Sequence, residues 1–358
     1  MSAQNQASQK PAGRIIYLDA IRAISIALVV LLHAAGQILH GFPQSSRWWA
    51  ANIYDSLARP CVPLFVMVSG AILLHPAKTE SLLLFFRKRF LKVAIPFLIW
   101  AIIYFQWRKY FHHESISPYR MLSEILQGPV YFHLWFIYLI LSLYLVTPIL
   151  RVYVRHATQR DLAYFIGLWF FQACVLQIIT ALKGYHWGIY LYVVTDYVGY
   201  FVLGYYLRDL PSIKLRPIAC GALLLIAAAV TAIGTYVIDI RAGGKFSAVA
   251  YDDISPNVVV MTICAFLLIR DLFAANFAGR HPVFSSMFTR LSAASFGVYL
   301  IHPIVLELLA SGKLGFALSG STGHPAIGVP LTASITFLIS LLLIMLMQKI
   351  PGVSTIVP

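Results

Sequence analysis

One apolar stretch near the N-terminus carries ionisable side chains of the kinds that perform acid–base chemistry. The stretch 14–40 is long enough to span a bilayer, since ~20 helical residues at about 1.5 Å rise cross ~30 Å of hydrocarbon. Within it, Asp19, Arg22 and His33 fall on one stripe of the predicted helix. Arg22 and His33 are eleven residues apart, so they point almost the same way and lie ~16 Å apart along the axis.

This polar stripe has two interpretations. An ionisable residue at membrane depth costs several kcal/mol and is usually tolerated only where it faces a bundle interior or a wet cavity. Neutral histidine accepts protons near physiological pH, so His33 can serve as a general base, with Asp19 orienting or pairing with Arg22. Alternatively, a backbone carbonyl satisfies His33 while Arg22 extends toward the membrane interface. Spacing alone leaves both interpretations open.

The composition of the whole chain indicates a polytopic membrane protein. Of its 358 residues, 60% are hydrophobic and only 11% are charged. The net charge of +14 is explained by the positive-inside rule rather than by a nucleic-acid partner. The four cysteines lie far apart in apolar segments, so neither a zinc site nor a disulfide framework is predicted, and we expect no metal.

Hydropathy predicts a single all-α domain of about ten transmembrane helices. Residues 1–13 are predicted to form a disordered cytoplasmic tail, 14–350 the membrane domain and 351–358 a short cytoplasmic tail. The predicted spans are 15–39, 57–75, 90–110, 131–150, 162–182, 189–207, 217–238, 256–275, 292–311 and 326–348.

Two further polar groups lie on or beside these spans. Ser295, Tyr299 and His302 share one helix face, which either packs against neighbouring helices or lines a path for a substrate. His133, Trp135 and Asp196 lie toward the outer ends of their spans. Tryptophan there usually belongs to the interfacial aromatic belt, but aromatic rings and carboxylates also bind sugars.

A basic cluster lies at the inner end of the third predicted span. It consists of Arg87, Lys88 and Arg89, with Lys92 one turn further on. Such clusters commonly anchor the inner end of a span. Residues two apart on a helix diverge by ~200°, so Arg87 and Arg89 are not expected to share one ligand group.

Five segments together resemble the acyltransferase-3 family of integral membrane O-acyltransferases. In the first, Leu18, Asp19, Arg22 and His33 match the family's first-helix pattern. The others are PLFVMVSGAILL (63–74), FHLWFIYLILSLYLVTPIL (132–150), YFVLGYYL (200–207) and SFGVYLIHP (295–303). Each segment alone is a weak signal, whereas their order and spacing are fairly specific and cover nearly all ten spans.

The resemblance implies an enzyme that moves an acyl group, most simply acetyl from acetyl-CoA, to a hydroxyl of a surface polysaccharide or its lipid-linked precursor. In the family, the motif at Arg87-Lys88-Arg89 is implicated in handling acyl-CoA, and arginine pairs well with phosphate. By the same resemblance, His33 either deprotonates the acceptor hydroxyl or is itself acylated. Arg22 is expected to stabilise the thioester oxygen or a phosphate. His133, Trp135, Asp196, Ser295, Tyr299 and His302 are expected to contact the acceptor or the acyl path.

The resemblance also implies a cellular setting. We expect a bacterial inner membrane, with membrane lipids and polysaccharide-assembly proteins as neighbours. Many family members carry a following SGNH-type domain that finishes the transfer. This chain has no such domain after its last span, so it is expected to complete the transfer alone or with a separate partner.

Two other classes of protein share some of these features. A secondary transporter or flippase of lipid-linked sugars would also have many spans and buried polar residues, but the sequence has no internal inverted repeat. A membrane scaffold would have no use for Asp19, Arg22 and His33 at membrane depth, given their cost. Binding or hydrolysis of acetyl-CoA by the purified protein separates the enzyme from both.

The distribution of basic residues generates a topology prediction. Lys and Arg favour one side of the predicted membrane by 17 to 9, which places both termini in the cytoplasm. Reporter fusions after Pro76 and after Arg280 should therefore report the cytoplasm, and fusions within 111–130 and 239–255 the outer side. A cytoplasmic signal from the 111–130 fusion would reverse the orientation.

Overall fold

The chain forms a bundle of membrane-length α-helices. The computed structural model describes residues 15–41, 43, 45–76, 80–176, 178–179, 196–209, 217–273 and 280–358. In this part of the chain there are no strands, and eight helical segments are long and apolar enough to cross a membrane. The all-α, polytopic prediction is confirmed.

The helices follow the apolar spans, with several extensions beyond them. Their bounds are α1 Ile16–Gly36, α2 Ser46–Ala58, α3 Cys61–Leu73, α4 Leu82–Phe111, α5 Pro118–Gln127, α6 Trp135–His156, α7 Gln159–Phe170, α8 Tyr197–Asp209, α9 Pro217–Arg241, α10 Pro256–Leu272, α11 Pro282–Ala310 and α12 Pro325–Met347. The predicted spans 162–182 and 189–207 correspond to α7 with the π-helical turn Phe171–Val175 and to α8. Residues 180–195 between them, like the predicted tail 1–13, lie outside the described residues.

The second membrane segment is broken in its middle. Helices α2 and α3 together cover Ser46–Leu73, and they meet at Arg59 and Pro60. Proline cannot donate a backbone hydrogen bond and sterically disfavours the helix before it. The predicted span 57–75 therefore began too late, and Arg59 lies in the middle of the segment rather than near its start. Broken helices are tolerated at membrane depth where they line a cavity.

Two glycines let α3 and α8 pack backbone against backbone. A Cβ atom on Gly70 would lie 1.8 Å from the Phe201 carbonyl oxygen, and one on Gly204 would lie 2.0 Å from the Met67 oxygen. Small residues allow this close approach between membrane helices. It fixes α8 against α3 and supports one of the two large packing clusters of the bundle.

Helix α1 joins the two packing clusters. Its first half, with Leu18 and Ile21, packs with α3, α8 and α10. Its second half, from Ile26 to Leu39, packs with α4, α11 and α12. The stripe that carries Arg22 and His33 faces the space between these clusters.

Arginines cap helix ends at the end of the bundle where α1 begins. Arg151 donates to the Leu73 carbonyl at 2.7 Å, and Arg270 donates to the Leu207 carbonyl at 2.7 Å. Cations are favourable at helix C-termini, where carbonyls lack partners. Glu80 also accepts hydrogen bonds from Lys88 and Arg151. Burial opposes ionisation of Glu80, but these hydrogen bonds outweigh it and lower its pKa.

At the opposite end, the predicted loop 111–130 contains a short amphipathic helix that periodicity over long spans did not reveal. Helix α5 exposes Tyr119, Leu122 and Leu126 on one side. On the other side, Glu124 and the nearby Glu114 bind Arg108 of α4. The Arg108 guanidinium holds the pKa of Glu114 below its usual range.

The glycine contacts generate a stability prediction. Gly204→Ala should force α8 away from α3 and destabilise the protein by at least the ~1–3 kcal/mol of an overpacked core. Gly221→Ala is the matched control, because a Cβ there meets nothing within 4 Å and alanine favours a helix over glycine by ~0.5–1 kcal/mol. Apparent melting temperatures in detergent measure both. Equal melting temperatures for the two variants would contradict the close packing.

Candidate functional site

Helices α1 and α11 run parallel and exchange polar contacts at two levels. Near their starts, the Ser292 hydroxyl donates to the Asp19 carboxylate at 2.8 Å, and Thr289 donates to the same carboxylate at 3.5 Å. Near the other end, His33 of α1 meets His302 of α11. Asp19 thus ties the two helices together, and it does not line the cavity described below.

The two histidines form an edge-to-edge hydrogen bond. His33 Nδ1 lies 2.7 Å from His302 Nε2. Their rings are parallel within 2°, with centroids 5.0 Å apart. The centroid separation exceeds the nitrogen–nitrogen distance by about the radii of the two rings, so the rings meet at their edges in nearly one plane. The pair is a directed hydrogen bond rather than a stack of faces.

The surroundings of His302 assign the tautomers of both rings. His302 Nδ1 lies 2.8 Å from the Tyr299 carbonyl and 3.1 Å from the Val298 carbonyl. Carbonyls only accept, so His302 Nδ1 carries the hydrogen, and Nε2 of the neutral ring is an acceptor. His33 Nδ1 must then donate. We therefore assign the lone pair of His33 to Nε2, the atom available to accept a proton.

The His33 ring faces a cavity of about 550 Å³ that lies between the two packing clusters. Of the predicted site residues, those that line it are Arg22, His33, His133, Trp135, Ser295 and Tyr299. His302 lies behind His33, completely buried. The sequence thus predicted much of the cavity lining. His302 was predicted to contact the acceptor or the acyl path, whereas in the structure its side chain contacts His33 and does not line the cavity.

His133 and Tyr299 complete a ring of buried polar groups around the pair. Tyr299 donates its hydroxyl to the His133 carbonyl at 2.5 Å, and Ser295 donates to the Ser292 carbonyl at 2.8 Å. The His133 ring centroid lies 5.5 Å from that of His302. Its two nitrogens make no hydrogen bond of standard geometry among the described residues, although the Leu300 carbonyl lies nearby. Since His133 lines the cavity, its nitrogens can bond to a group bound there.

The basic side chains at the start of α4 point to different sides of the helix. Arg87 is exposed, Lys88 is exposed and pairs with Glu80, and Arg89 is partly buried beside the Phe85 ring. None of these three lines the cavity, whereas Lys92 does. The divergence expected for neighbours two apart is thus present, and the cation that reaches the cavity lies one turn beyond the predicted motif.

Asp196, predicted to contact the acceptor, does not line the cavity. It directly precedes α8, is exposed, and has a φ of 50°. Its carbonyl accepts a hydrogen bond from Trp169 at 2.7 Å. Asp196 thus lies outside regular helix, directly before the first residue of α8, Tyr197.

Two cavity residues were missed from the sequence. Arg59, at the break between α2 and α3, lines the cavity and donates to Asp55. Asp253, in the predicted outer segment 239–255, also lines the cavity and accepts from the Tyr197 hydroxyl at 2.7 Å. The available signal for the first was the Arg59-Pro60 pair within an apolar run. No periodic signal marks the second.

Comparison with known proteins supplies one match. The Acyl_transf_3 family model, described as an acyltransferase domain, matches residues 15–347. No curated protein and no solved structure matches the chain. The matched range contains every cavity-lining residue discussed above.

Proposed function

Because the chain belongs to the acyltransferase-3 family, we propose that this membrane acyltransferase moves an acetyl group from acetyl-CoA to a hydroxyl of a surface polysaccharide or its lipid-linked precursor. The observation that carries the proposal is the hydrogen-bonded histidine pair, whose outer ring faces a cavity with cations along its wall. A proton acceptor beside a cavity is what attack by a hydroxyl on a thioester requires.

In the direct route, His33 acts as general base. Its Nε2 takes the proton of the acceptor hydroxyl as the oxygen attacks the thioester carbonyl. The new C–O bond forms, the C–S bond breaks, and the departing CoA thiolate receives the proton from His33. The acceptor leaves as an ester and CoA leaves as a thiol.

The covalent route uses the same atom. His33 Nε2 attacks the thioester carbonyl, the C–S bond breaks and CoA leaves as a thiolate. An acceptor hydroxyl then displaces the histidine from the acyl group, and the hydroxyl proton passes to the thiolate. The assigned tautomer supports both routes, since each needs a lone pair on Nε2. In each, His302 is a positioning residue that fixes the ring of His33 and accepts from its Nδ1.

Donor binding is proposed for the end of the cavity where α1 begins. Arg22 and Lys92 line this end, and phosphate pairs with such cations. About 16 Å of helix axis separates Arg22 from His33. Arg22 is therefore better suited to a phosphate or the linker of CoA than to the carbonyl under attack. The exposed side chains of Arg87 and Lys88 are left for the membrane interface.

The cellular setting completes the proposal. The 17 to 9 distribution of basic residues supports cytoplasmic termini and a cytoplasmic donor end. Acetyl-CoA is made in the cytoplasm, so the donor enters there and the acceptor from the other side. A bacterial inner membrane, with polysaccharide-assembly proteins nearby, fits this arrangement.

Donor binding provides one prediction. Lys92→Ala and Arg22→Ala should each weaken acetyl-CoA binding by about 1.5–3 kcal/mol, because each removes a hydrogen bond to a charged group. Lys349→Ala is the control, since Lys349 is exposed and does not line the cavity. Titration calorimetry in nanodiscs measures the affinities. If Arg87→Ala weakens binding and Lys92→Ala does not, the donor site follows the sequence motif instead.

Catalysis provides a second prediction. His33→Gln should lower glycan acetylation by about 10²–10⁴-fold, since glutamine keeps hydrogen bonding but is not a base. His302→Phe should also lower it, because His33 loses the acceptor that orients it. Mass analysis of surface glycans from cells expressing each variant measures the acetyl increment.

The control for catalysis is His324→Gln, which changes an exposed histidine that caps α12. It should leave acetylation at the wild-type level. Near-normal acetylation by His33→Gln would show that His33 is structural. Unchanged surface glycans on deleting the gene would overturn the proposed acceptor.

A further inference from the structure

The carboxylate of Asp253 lines the cavity and has one oxygen fixed by a hydrogen bond and one oxygen without a hydrogen bond among the described residues. Asp253 lies between α8 and α10 and accepts from the Tyr197 hydroxyl at 2.7 Å through Oδ2. Its backbone carbonyl accepts from Tyr200 at 2.5 Å. Its Oδ1 has no hydrogen bond among the described residues, and the side chain lines the cavity. Asp253 therefore presents a fixed, open acceptor atom.

Arg59 lines the same cavity, and not all of its N–H donors are used in hydrogen bonds within the protein. Its Nε and Nη2 groups donate to Asp55, and Nη1 donates to the Tyr251 carbonyl at 3.3 Å. A guanidinium has five N–H donors, so these contacts leave two. Its side chain is 17% exposed although it lies mid-span, which places the exposed part in the cavity. Asp55 balances its charge and holds it in place.

Arg59 and Asp253 do not form an ion pair within 4.0 Å in the described part of the chain. One side offers N–H donors and the other a carboxylate acceptor. A hydroxyl both donates and accepts, so an alcohol between them satisfies both. A phosphate would meet repulsion from Asp253, and an ammonium group would meet repulsion from Arg59.

An aromatic ring stands beside this pair. Trp135 lines the cavity, is 36% exposed, and its ring centroid lies 5.9 Å from that of Tyr197. Phe132, one turn earlier, meets the His33 ring edge-on at 5.0 Å between centroids. Trp135 packs against Tyr197, the residue that fixes Asp253, so the tryptophan lies on the Asp253 side of the cavity. A flat apolar ring next to hydroxyl-binding groups suits a pyranose, which has apolar C–H faces and polar edges.

We propose that Arg59, Asp253 and Trp135 form the acceptor subsite, which binds a sugar ring by one hydroxyl between the two charges and by one face against the tryptophan. This subsite rests on the proposed function and supplies its acceptor. Asp253 takes the place that Asp196 held in the sequence prediction. The neighbouring hydroxyl of the bound ring is the one directed toward His33.

The test uses the full-length protein in nanodiscs, with acetyl-CoA and a panel of methyl glycosides as probes. Asp253→Asn should raise the KM for the best glycoside about 10- to 100-fold, because it removes the charge that binds the hydroxyl. The KM for acetyl-CoA should change much less. Trp135→Leu should also raise the glycoside KM, and glycerol, which has hydroxyls but no ring, should be a poor acceptor for every variant.

The matched control is Asp252→Asn. Asp252 is exposed and caps the Ile254 amide at 3.0 Å, a bond that asparagine can also make. Its glycoside KM should equal that of the wild type. Equal KM values for Asp253→Asn and Asp252→Asn would overturn the subsite while leaving the acyltransferase proposal intact. Failure of the wild-type protein to acetylate any glycoside would overturn both.

If Asp253→Asn does not fold, Tyr197→Phe carries the same test. It removes only the hydroxyl that fixes Asp253 Oδ2, and it should raise the glycoside KM several-fold while the acetyl-CoA KM changes less. A loss confined to the acetyl-CoA KM, in either variant, would assign this end of the cavity to the donor and overturn the subsite.

Discussion

The structure depends on the requirement that polar groups within a membrane span find partners inside the protein. Helix α1 carries its ionisable residues on one stripe, and α11 runs parallel to it with matching groups. Asp19 meets Ser292 at one level, and His33 meets His302 about 15–20 Å further along the same helices. Each contact satisfies a polar group that lipid would leave unsolvated. The two contacts together fix the register in which the His33 ring faces the cavity.

The sequence predicted those parts of the site that belong to one helix. The stripe of α1, the shared face of Ser295, Tyr299 and His302, and the divergence within the basic cluster all follow from helical periodicity. Partners across helices do not follow from periodicity. Nothing in one helix indicates that His302 faces His33 rather than a substrate. The resemblance to a family supplied the chemistry, and the family match supports it at that level.

The missed residues share a physical cause. Arg59 and Asp253 lie where the chain leaves regular helix, at the α2–α3 break and just before α10. Hydropathy predicts such positions to lie in loops or at the ends of spans, although both lie within membrane-length segments of the structure. The arginines at the end of the bundle where α1 begins have a structural role that the sequence did not indicate. They were counted as topology signals, yet Arg151 and Arg270 also complete helix ends by donating to carbonyls. The same residue can thus carry a topology signal in the sequence and a packing contact in the fold.

The partner of His33 is a neutral imidazole, whereas the familiar catalytic triads set a carboxylate in that place. A carboxylate stabilises an imidazolium by direct charge attraction, and a second imidazole offers only a dipole. The protonated state of His33 in the proposed reaction is therefore costly and short-lived. Such a base is expected to accept a proton and to pass it on to a second group within the same reaction step. The thiolate leaving from CoA is such a group, so the chemistry favours having donor and acceptor present together. Under the proposed mechanism, the charge on His33 would therefore exist only between the attack of the hydroxyl and the departure of the thiolate.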